Sequence, residues 1–207
     1  MINKRFITFE GGEGSGKTSQ IKLLKNNLEK YGDVVVTREP GGSPNGELIR
    51  KLLVTGHKNR WSGVSELLLI NAARKDHIEN IILDNLKNNK FVICDRFSDS
   101  TIVYQGFGRG VNIKLIKRLD QLTTNSLKPK LTFLLNIKAE EGIKRSKSRV
   151  NNELRYESMP MSYHKKINSS YLKIAKKNPS RFVIIDAMLG KKEISEIIWD
   201  KVQSKLL

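Results

Sequence analysis

A glycine-rich segment near the start of the chain ends in Lys17 and Thr18, with the spacing of a phosphate-binding loop. The apolar run from Phe6 to Phe9 precedes it, and a helical pattern follows it. Glycines allow a turn tight enough for several backbone N–H groups to face one anion, and the helix adds the positive end of its dipole. Lys17 would contact the β- and γ-phosphates of a nucleoside triphosphate, and the Thr18 hydroxyl would bind Mg²⁺. The residues predicted to hold the triphosphate are Gly11, Gly12, Glu13, Gly14, Ser15, Gly16, Lys17 and Thr18. The alternative is a glycine-rich turn that happens to end in Lys-Thr.

Arginines follow two of the predicted strands, where phosphoryl transfer needs positive charge. Arg38 follows the apolar run that begins at Val34, and Arg96 follows the run that begins at Phe91. The arginine fork matches a phosphate group with two hydrogen bonds, so the pair indicates an acceptor that itself carries phosphate. The oxygen of a monophosphate is ionised near neutral pH and needs no strong general base. We therefore expect phosphoryl transfer to a phosphorylated acceptor.

Two carboxylates are candidates for the metal site. Asp95 ends an apolar run, the position at which phosphate-loop proteins place a carboxylate that helps to hold Mg²⁺, although it could instead cap the following segment. Glu39 could join the metal shell or orient Arg38, and the sequence does not decide between them. The three histidines lack the spacing of a zinc site.

Composition limits the class of protein. The chain has 207 residues, of which 38% are hydrophobic, enough for one well-buried domain over residues 1–207. Without an apolar run long enough for a membrane or a signal segment before Phe6, we expect a cytoplasmic protein. The net charge of +17 makes nucleic-acid binding a rival function, but the lysines are scattered, and we predict no specific nucleic-acid partner. Cys94 is expected to be a buried structural thiol.

Apolar runs and helical periodicity alternate along the chain, which predicts an α/β fold with a parallel sheet covered by helices on both faces. The predicted strands are 6–9, 34–37, 91–94, 131–137 and 182–185. The predicted helices are 18–30, 45–54, 65–88, 113–124, 139–148, 161–178 and 191–206. In such folds ligands bind at the carboxyl ends of the strands, which is where the residues above occur.

The chain resembles bacterial thymidylate kinases over nearly its whole length. The segments that carry the resemblance, in the family's order, are FEGGEGSGKT, TREPGGSPNGELIRKLL, LLLINAARKDH, DRFSDSTIVYQGFGRG and VIIDA. The combination of TREPGG with DRF and YQGFGRG is specific. The resemblance implies a kinase that transfers the γ-phosphate of ATP to dTMP with Mg²⁺, a P-loop NTPase fold of about five strands, and a homodimer.

The resemblance also implies roles for acceptor-site residues. Arg38 and Arg96 match the arginines that hold the dTMP phosphate, and Glu13 matches an acid that contacts the deoxyribose 3′-hydroxyl. Arg74 would donate to thymine O4, where cytosine presents a donor instead. The other matched positions around the base and sugar are Ile70, Ser100, Thr101, Tyr104 and Gln105. Tyr104 would crowd the 2′ side of the sugar. Ile70 replaces the usual aromatic residue, for which Phe97 could compensate.

The polar segment 145–157, here called the lid, matches the arginine-bearing lid of the family. Its arginines, Arg145, Arg149 and Arg155, would stabilise the charge of the transferring phosphoryl group when the lid closes. They could instead be solvated cations on a loop. Near the C-terminus, Asp186 and Ala187 match a segment close to the adenine, although Asp186 could be a simple cap.

Overall fold

A computed structural model of the chain describes residues 2–147 and 155–207, and its central element is a parallel sheet. In these residues five strands pair in the order β2-β3-β1-β4-β5, and every pairing is parallel. The strands are β1 (Phe6–Glu10), β2 (Val34–Arg38), β3 (Phe91–Asp95), β4 (Leu131–Asn136) and β5 (Phe182–Asp186). The α/β prediction is confirmed, and each predicted strand lies within one residue of the observed bounds.

Helices follow the strands much as the periodicity predicts. They are α1 (Lys17–Leu28), α2 (Pro44–Val54), α3 (Gly63–His77), α4 (Leu83–Lys87), α5 (Ser98–Thr101), α6 (Ile113–Thr124), α7 (Ala139–Lys147), α8 (Met161–Lys176) and α9 (Lys191–Leu206). The predicted helix 65–88 is helical throughout, but a π-helical turn, Ile78–Ile82, separates α3 from α4. The sequence did not predict α5 or the π-helix Ile102–Gly108 that continues it, because both are short.

The two faces of the sheet are buried by different helices. Ile7 and Phe9 of β1 point toward α1 and α9. Phe6 instead packs against the π-helical turn Ile78–Ile82 and against α4. On this second face α8 packs against β4 and the π-helix 102–108. The sheet is therefore covered on both sides, as the near-continuous apolar strands require. Assignment of residues 1–207 to one domain stays a prediction.

No helix in the described part of the chain is both long and apolar enough to cross a bilayer.

Candidate functional site

A cavity of about 310 Å³ opens at the carboxyl ends of β1, β2 and β3. Its walls come from the loop 13–18, from the segment after β2 and from the segment after β3. Val54 and Ile70 of α2 and α3 close one side, and Tyr156 lies at the rim. Residues that lie more than a hundred positions apart in the sequence therefore line the same cavity, because parallel strands end at the same edge of a sheet.

The phosphate loop joins β1 to α1, and Lys17 is the first residue of that helix. Its ammonium group lies 3.4 Å from the carbonyl oxygens of both Gly11 and Gly12, across the mouth of the loop. Burial and the nearby positive charge of Arg96 lower the pKa of Lys17. Lys17 is thus a buried cation held over the loop, the geometry that a phosphate-binding lysine requires.

Gly14 brings the lid-side helix against the loop. Its φ is +66°, and a Cβ atom there would collide with the backbone of Gly142 on α7. The reverse is also true, because a Cβ atom on Gly142 would collide with the backbone of Glu13. Two facing glycines therefore let α7 approach the loop, which places the start of the lid beside the bound triphosphate that we propose below.

Arg96 follows β3 and lies beside the phosphate loop. Its Nη1 donates to the carbonyl oxygen of Gly11 and to the hydroxyl of Tyr171, each at 2.9 Å, and its Nη2 donates to Glu13 Oε1 at 3.0 Å. The φ of Arg96 is +70°, an unfavourable conformation for a non-glycine residue and one that often occurs at functional sites. The ring of Tyr104 lies 5.1 Å from the guanidinium carbon. These contacts fix Arg96 beside the phosphate loop.

Glu13 connects the loop to the π-helix 102–108. Its Oε1 accepts hydrogen bonds from Arg96 and from the hydroxyl of Tyr104, the latter at 2.9 Å. Burial would raise the pKa of Glu13, but the attraction of Arg96 and Lys17 outweighs it, so the pKa is lowered. An ionised Glu13 is therefore available to both neighbours. Its proposed contact with a sugar hydroxyl stays a prediction.

A second carboxylate, Glu10, binds the side chains of Ser100 and Tyr171, which both contact Arg96. Its Oε1 accepts from the backbone N–H of Phe97 at 2.9 Å, and its Oε2 accepts from Ser100 at 2.6 Å and Tyr171 at 3.0 Å. Burial and the charge of Asp99 raise the pKa of Glu10 to about 7. Ser100, one of the residues predicted to line the base pocket, therefore also donates a hydrogen bond to Glu10.

Arg74 is almost completely buried, with 2% of its surface exposed, and it lines the cavity. Its Nε donates to Glu39 Oε2 at 2.7 Å, and its Nη2 donates to the hydroxyl of Thr101 at 2.8 Å. Its buried Nη1 has no hydrogen-bond partner among the described residues, and Asp120 lies 3.7 Å away. Arg74 is thus held by Glu39, by Thr101 and by the charge of Asp120, and its predicted contact with thymine O4 stays a prediction.

Glu39 takes a position that the sequence analysis did not consider. Its carboxylate binds Arg74 on one oxygen and lies 3.2 Å from His77 Nδ1 on the other. Burial opposes ionisation, but Arg74 and His77 lower the pKa of Glu39. Glu47, not Glu39, holds Arg38, with contacts of 3.2 and 2.9 Å. Glu39 is therefore the partner of Arg74 and not of Arg38, which corrects one of its two expected roles, and its place in the metal shell stays a prediction.

Oxygen atoms suited to a cation lie next to the phosphate loop. Asp95 Oδ1 and Ser15 Oγ are buried without a hydrogen-bond partner among the described residues, and the exposed Thr18 lines the same cavity as both. Mg²⁺ prefers oxygen ligands and is usually held by one or two carboxylates together with substrate phosphates. No group of three or more His, Cys, Asp or Glu side chains in the described ranges forms a metal cage. Asp95 and Thr18 therefore fit a magnesium ion that arrives with ATP.

The structure separates the three predicted lid arginines. Arg149 lies outside the described residues. Arg145 donates to Glu141 and to the carbonyl oxygen of Ala187, each at 3.0 Å. Arg155 is buried and does not line the cavity described above; it forms an ion pair with Glu66 of α3 and donates to the carbonyl oxygen of Leu53 at 2.8 Å. We therefore correct its predicted position beside the phosphoryl group, because Arg155 binds a buried carboxylate that does not line the cavity.

Asp186 and Ala187, the two residues predicted to lie close to adenine, are found at the end of β5. Asp186 accepts a hydrogen bond from the backbone N–H of Met188 at 2.9 Å, which is the capping arrangement that the sequence left open. Asp186 and Ala187 lie at the end of β5 and do not belong to the described cavity wall. Their proposed contact with adenine stays a prediction.

Two aromatic rings line the same cavity as Ile70. Phe97 is buried beneath Arg74, with its ring centre 5.3 Å from the guanidinium carbon. Tyr156, which follows Arg155, packs against the apolar cluster that contains Ile70, and its ring meets Tyr104 edge to face at 5.6 Å. Both line the cavity beside Ile70, so aromatic surface is present where Ile70 itself supplies none.

Several site residues were missed by sequence reasoning. Glu10, Glu66, His77, Tyr156 and Tyr171 each hold a predicted residue in place or line the cavity. Glu10 and Glu66 carried a weak signal, since a carboxylate in an apolar stretch needs a partner when it is buried. Tyr171 and His77 carried none, because an aromatic or histidine on a helix is usually a packing residue.

Comparison with known proteins identifies the family of the chain. The sequence model of the family described as "Thymidylate kinase" matches residues 9–198. The chain is 45% identical over 202 residues to the thymidylate kinase of Caulobacter vibrioides, with 97% of each chain covered. It is 44% identical over 207 residues to that of Geotalea uraniireducens, again with 97% of each covered. The crystal structure of thymidylate kinase from Ehrlichia chaffeensis is 36% identical and superposes with a TM-score of 0.76, over 97% of this chain and 99% of that one. The chain belongs to the thymidylate kinase family.

Proposed function

We propose that the chain transfers the γ-phosphoryl group of ATP to dTMP, giving ADP and dTDP, in the cavity at the ends of β1, β2 and β3. The observation that carries this is the contact between Arg96 and the phosphate loop, through the Gly11 carbonyl oxygen and the Glu13 carboxylate. A donor phosphate above Lys17 and an acceptor phosphate on Arg96 would then be neighbours. Membership in the thymidylate kinase family supports the choice of substrates.

On the donor side, the loop N–H groups and Lys17 would bind the phosphates of ATP. Asp95 and Thr18 would hold Mg²⁺ with them, and the bound ion would neutralise charge on the β- and γ-phosphates. Arg145 and Arg149 of the lid would add positive charge from the other side. Arg155 is not part of this set, because its guanidinium binds Glu66.

On the acceptor side, Arg96 and Arg38 would bind the phosphate of dTMP, and Arg74 would donate to thymine O4. An ionised oxygen of dTMP attacks the γ-phosphorus, and the bond from that phosphorus to the β–γ bridging oxygen breaks, leaving ADP. No proton need leave the nucleophile, so positioning and charge neutralisation supply the catalysis. The described residues accordingly supply positive charge and backbone N–H groups for the phosphates, and carboxylates hold the arginines in place.

A homodimer is the assembly that we propose for the chain. Exposed apolar side chains occur on α3 and on the two helices that it contacts, α2 and α6. They are Leu48, Leu52, Val64, Leu68, Leu115 and Leu122. A symmetric pairing would cover the same patch on both subunits. Cytoplasmic location and the lack of a specific nucleic-acid partner stay predictions of the sequence.

The activity is tested by measuring ADP formation with MgATP and each of dTMP, dUMP, dCMP, dGMP, AMP and thymidine. We expect fast turnover with dTMP and a large rise in KM for dTMP in Arg96→Ala. Arg60→Ala, which removes an exposed arginine beside Trp61, serves as the matched control and should behave like the unmodified protein. Preferred turnover of thymidine or of another base would contradict the proposed acceptor.

A further inference from the structure

An ion pair between Arg181 and Asp99 joins the sheet to the short helix α5. Arg181 directly precedes β5 and lies at the amino end of that strand, whereas Asp99 belongs to α5, beyond the carboxyl end of β3. The Arg181 Nη1 lies 2.7 Å from Asp99 Oδ2, and its Nη2 lies 2.9 Å from Asp99 Oδ1. The guanidinium thus binds both carboxylate oxygens, which is the strongest and most directional form of such a pair.

The Arg181 end of the pair is fixed to β4 and β5. Its Nη1 also donates to the hydroxyl of Thr132 on β4 at 2.8 Å, and its carbonyl oxygen accepts from the backbone N–H of Thr132 at 2.9 Å. The Thr132 hydroxyl lies 2.8 Å from that of Thr8 on β1. The guanidinium carbon of Arg181 lies 4.4 Å from the centre of the Phe182 ring. Arg181 is therefore held in one orientation by the strands around it.

Asp99 depends on Arg181 for its charge. Asp99 is buried, with 5% of its surface exposed. Within residues 2–147 and 155–207, Arg181 is the only cation that forms an ion pair with it. A buried carboxylate is unfavourable without its counter-charge, so the place of Asp99 in the fold is set by Arg181.

The two residues that follow Asp99 in α5 contact the arginines predicted to bind the acceptor. The Ser100 hydroxyl oxygen lies 3.4 Å from Arg96 Nη1, and the Thr101 hydroxyl accepts from Arg74 Nη2 at 2.8 Å. Both residues line the cavity. Because α5 is a single turn of four residues, a displacement of Asp99 would displace both of its neighbours.

We propose that Arg181 is a positioning residue for the acceptor site. By binding Asp99 it holds α5, and α5 contacts the guanidinium groups of Arg96 and Arg74. The proposal rests on the proposed function, because these two arginines are taken to bind dTMP. Lys17, on the donor side, belongs to α1, a different element. Loss of the pair should therefore weaken the binding of dTMP and leave that of ATP unchanged.

Steady-state kinetics of Arg181→Lys test the proposal. Lysine keeps the positive charge beside Asp99 but lacks the planar fork that binds both carboxylate oxygens. A change in kinetics then reports on the position of α5 and not on the net charge. We expect KM for dTMP to rise about fivefold, the effect of weakening one hydrogen bond, and KM for ATP to change by less than about twofold.

Arg5→Lys is the matched control. Arg5 also directly precedes a strand, β1, and its guanidinium carbon also lies 4.4 Å from the centre of a phenylalanine ring, that of Phe91. Its side chain donates to the carbonyl oxygen of Asn89, which precedes β3, and not to α5. This variant should change neither KM value by more than about twofold.

The two kinetic constants separate positioning from a purely structural role. Unfolded molecules lower the apparent kcat, but they leave the KM of the folded molecules unchanged. A lower kcat or melting temperature in Arg181→Lys with an unchanged KM for dTMP would mean that the pair only stabilises the fold, and would overturn the proposal. An equal rise in KM for ATP would overturn it as well.

Calorimetric titration with dTMP alone gives a readout that does not depend on turnover. We expect Kd to rise about fivefold in Arg181→Lys and in Asp99→Asn, and little further in the double variant, because both changes break the same pair. Fully additive losses would overturn the proposal. If Arg181→Lys does not fold, Asp99→Asn, which keeps the shape of the side chain, decides by the same measurements.

Failure of this inference can be told from failure of the proposed function. If the unmodified protein binds and phosphorylates dTMP and the variants match it, the role of Arg181 is refuted while the kinase function stands. If the unmodified protein does not bind dTMP, the proposed function fails and this inference fails with it.

Discussion

Glu13 and Arg96 form an ion pair with an Nη2 to Oε1 distance of 3.0 Å, although one lies in the phosphate loop and the other follows β3. The pair joins the two halves of the site before any substrate is bound. Arg96 is also tied to the loop by the Gly11 carbonyl oxygen. A site with its charges already in place loses little free energy to reorganisation when the phosphates arrive.

Replacement of the loop lysine tests the donor side. Lys17→Ala should lower kcat by roughly a thousandfold, the scale of losing a group that stabilises transition-state charge, while the fold remains intact. Lys17 is buried, so its removal also relieves the burial of a charge. ADP release and circular dichroism measure the two effects. Lys25→Ala, which breaks an exposed pair with Glu29 on the same helix, is the control. Substantial activity in Lys17→Ala would exclude the assigned role.

Two replacements of Arg74 separate stability from base recognition. Arg74→Ala leaves Glu39 buried without its main counter-charge and should lower the free energy of unfolding by about 3–5 kcal/mol. Arg74→Lys keeps a cation but loses the fork that reaches both Glu39 and Thr101. We expect it to raise KM for dTMP far more than KM for ATP. Steady-state kinetics and urea titration measure these quantities, and an equal rise in both KM values would argue against base recognition.

Two tyrosines on α8 form a matched pair. The Tyr171 hydroxyl contacts Arg96, Ser100 and Glu10, whereas the buried Tyr163 hydroxyl has no hydrogen-bond partner in the described residues. Tyr171→Phe should cost about 1–3 kcal/mol of stability, because it leaves buried partners unsatisfied, and should raise KM for dTMP. Tyr163→Phe should be close to neutral in both. Thermal melts and kinetics make the comparison, and similar behaviour of the two variants would refute the positioning of Arg96 by Tyr171.

Glu10 should make stability fall as the pH rises. Its pKa increases from 4.5 in the unfolded chain to about 7 in the folded protein. Below pH 4.5 both states carry the proton and the stabilisation is complete; between 4.5 and 7 the unfolded carboxyl ionises while the folded one does not, so stability is lost. The stability difference between the unmodified protein and Glu10→Gln should therefore drop by up to about 3 kcal/mol over this window. Urea titrations at several pH values test it, and a difference that is constant or rises with pH would contradict the assignment.

The proposed dimer predicts the effect of charge on the exposed apolar face. Leu68 on α3 is 54% exposed and Leu122 on α6 is 69% exposed. Leu68→Glu and Leu122→Glu should convert a dimer into monomers, because burial of a carboxylate in an apolar interface is unfavourable. Leu207→Glu, at the exposed C-terminal residue, should not. Sedimentation velocity measures the mass, and a monomeric unmodified protein would refute the dimer.

Sequence reasoning was most successful where the determining interactions are local. The glycine spacing before Lys17 defines a loop whose conformation depends on its own residues, and the apolar runs around Ile7, Ile93 and Phe133 define strands for the same reason. Arg38 ends β2 and Arg96 follows β3, so the prediction of a parallel sheet was enough to place both at its carboxyl edge. These features were readable because backbone geometry and the side-chain period of a strand leave few alternatives.

Partners were decided only by the tertiary structure. The pairs Glu39 with Arg74, Glu47 with Arg38, and Glu66 with Arg155 depend on which elements pack together, and several acids could have served each arginine. The π-helix 102–108 is likewise a product of packing, since its residues carry no periodic signal of their own. The sequence by itself therefore determined the fold, the phosphate loop and the class of chemistry. Tertiary packing decided which charges neutralise one another, because a buried charge is stable only beside the partner that long-range packing brings to it.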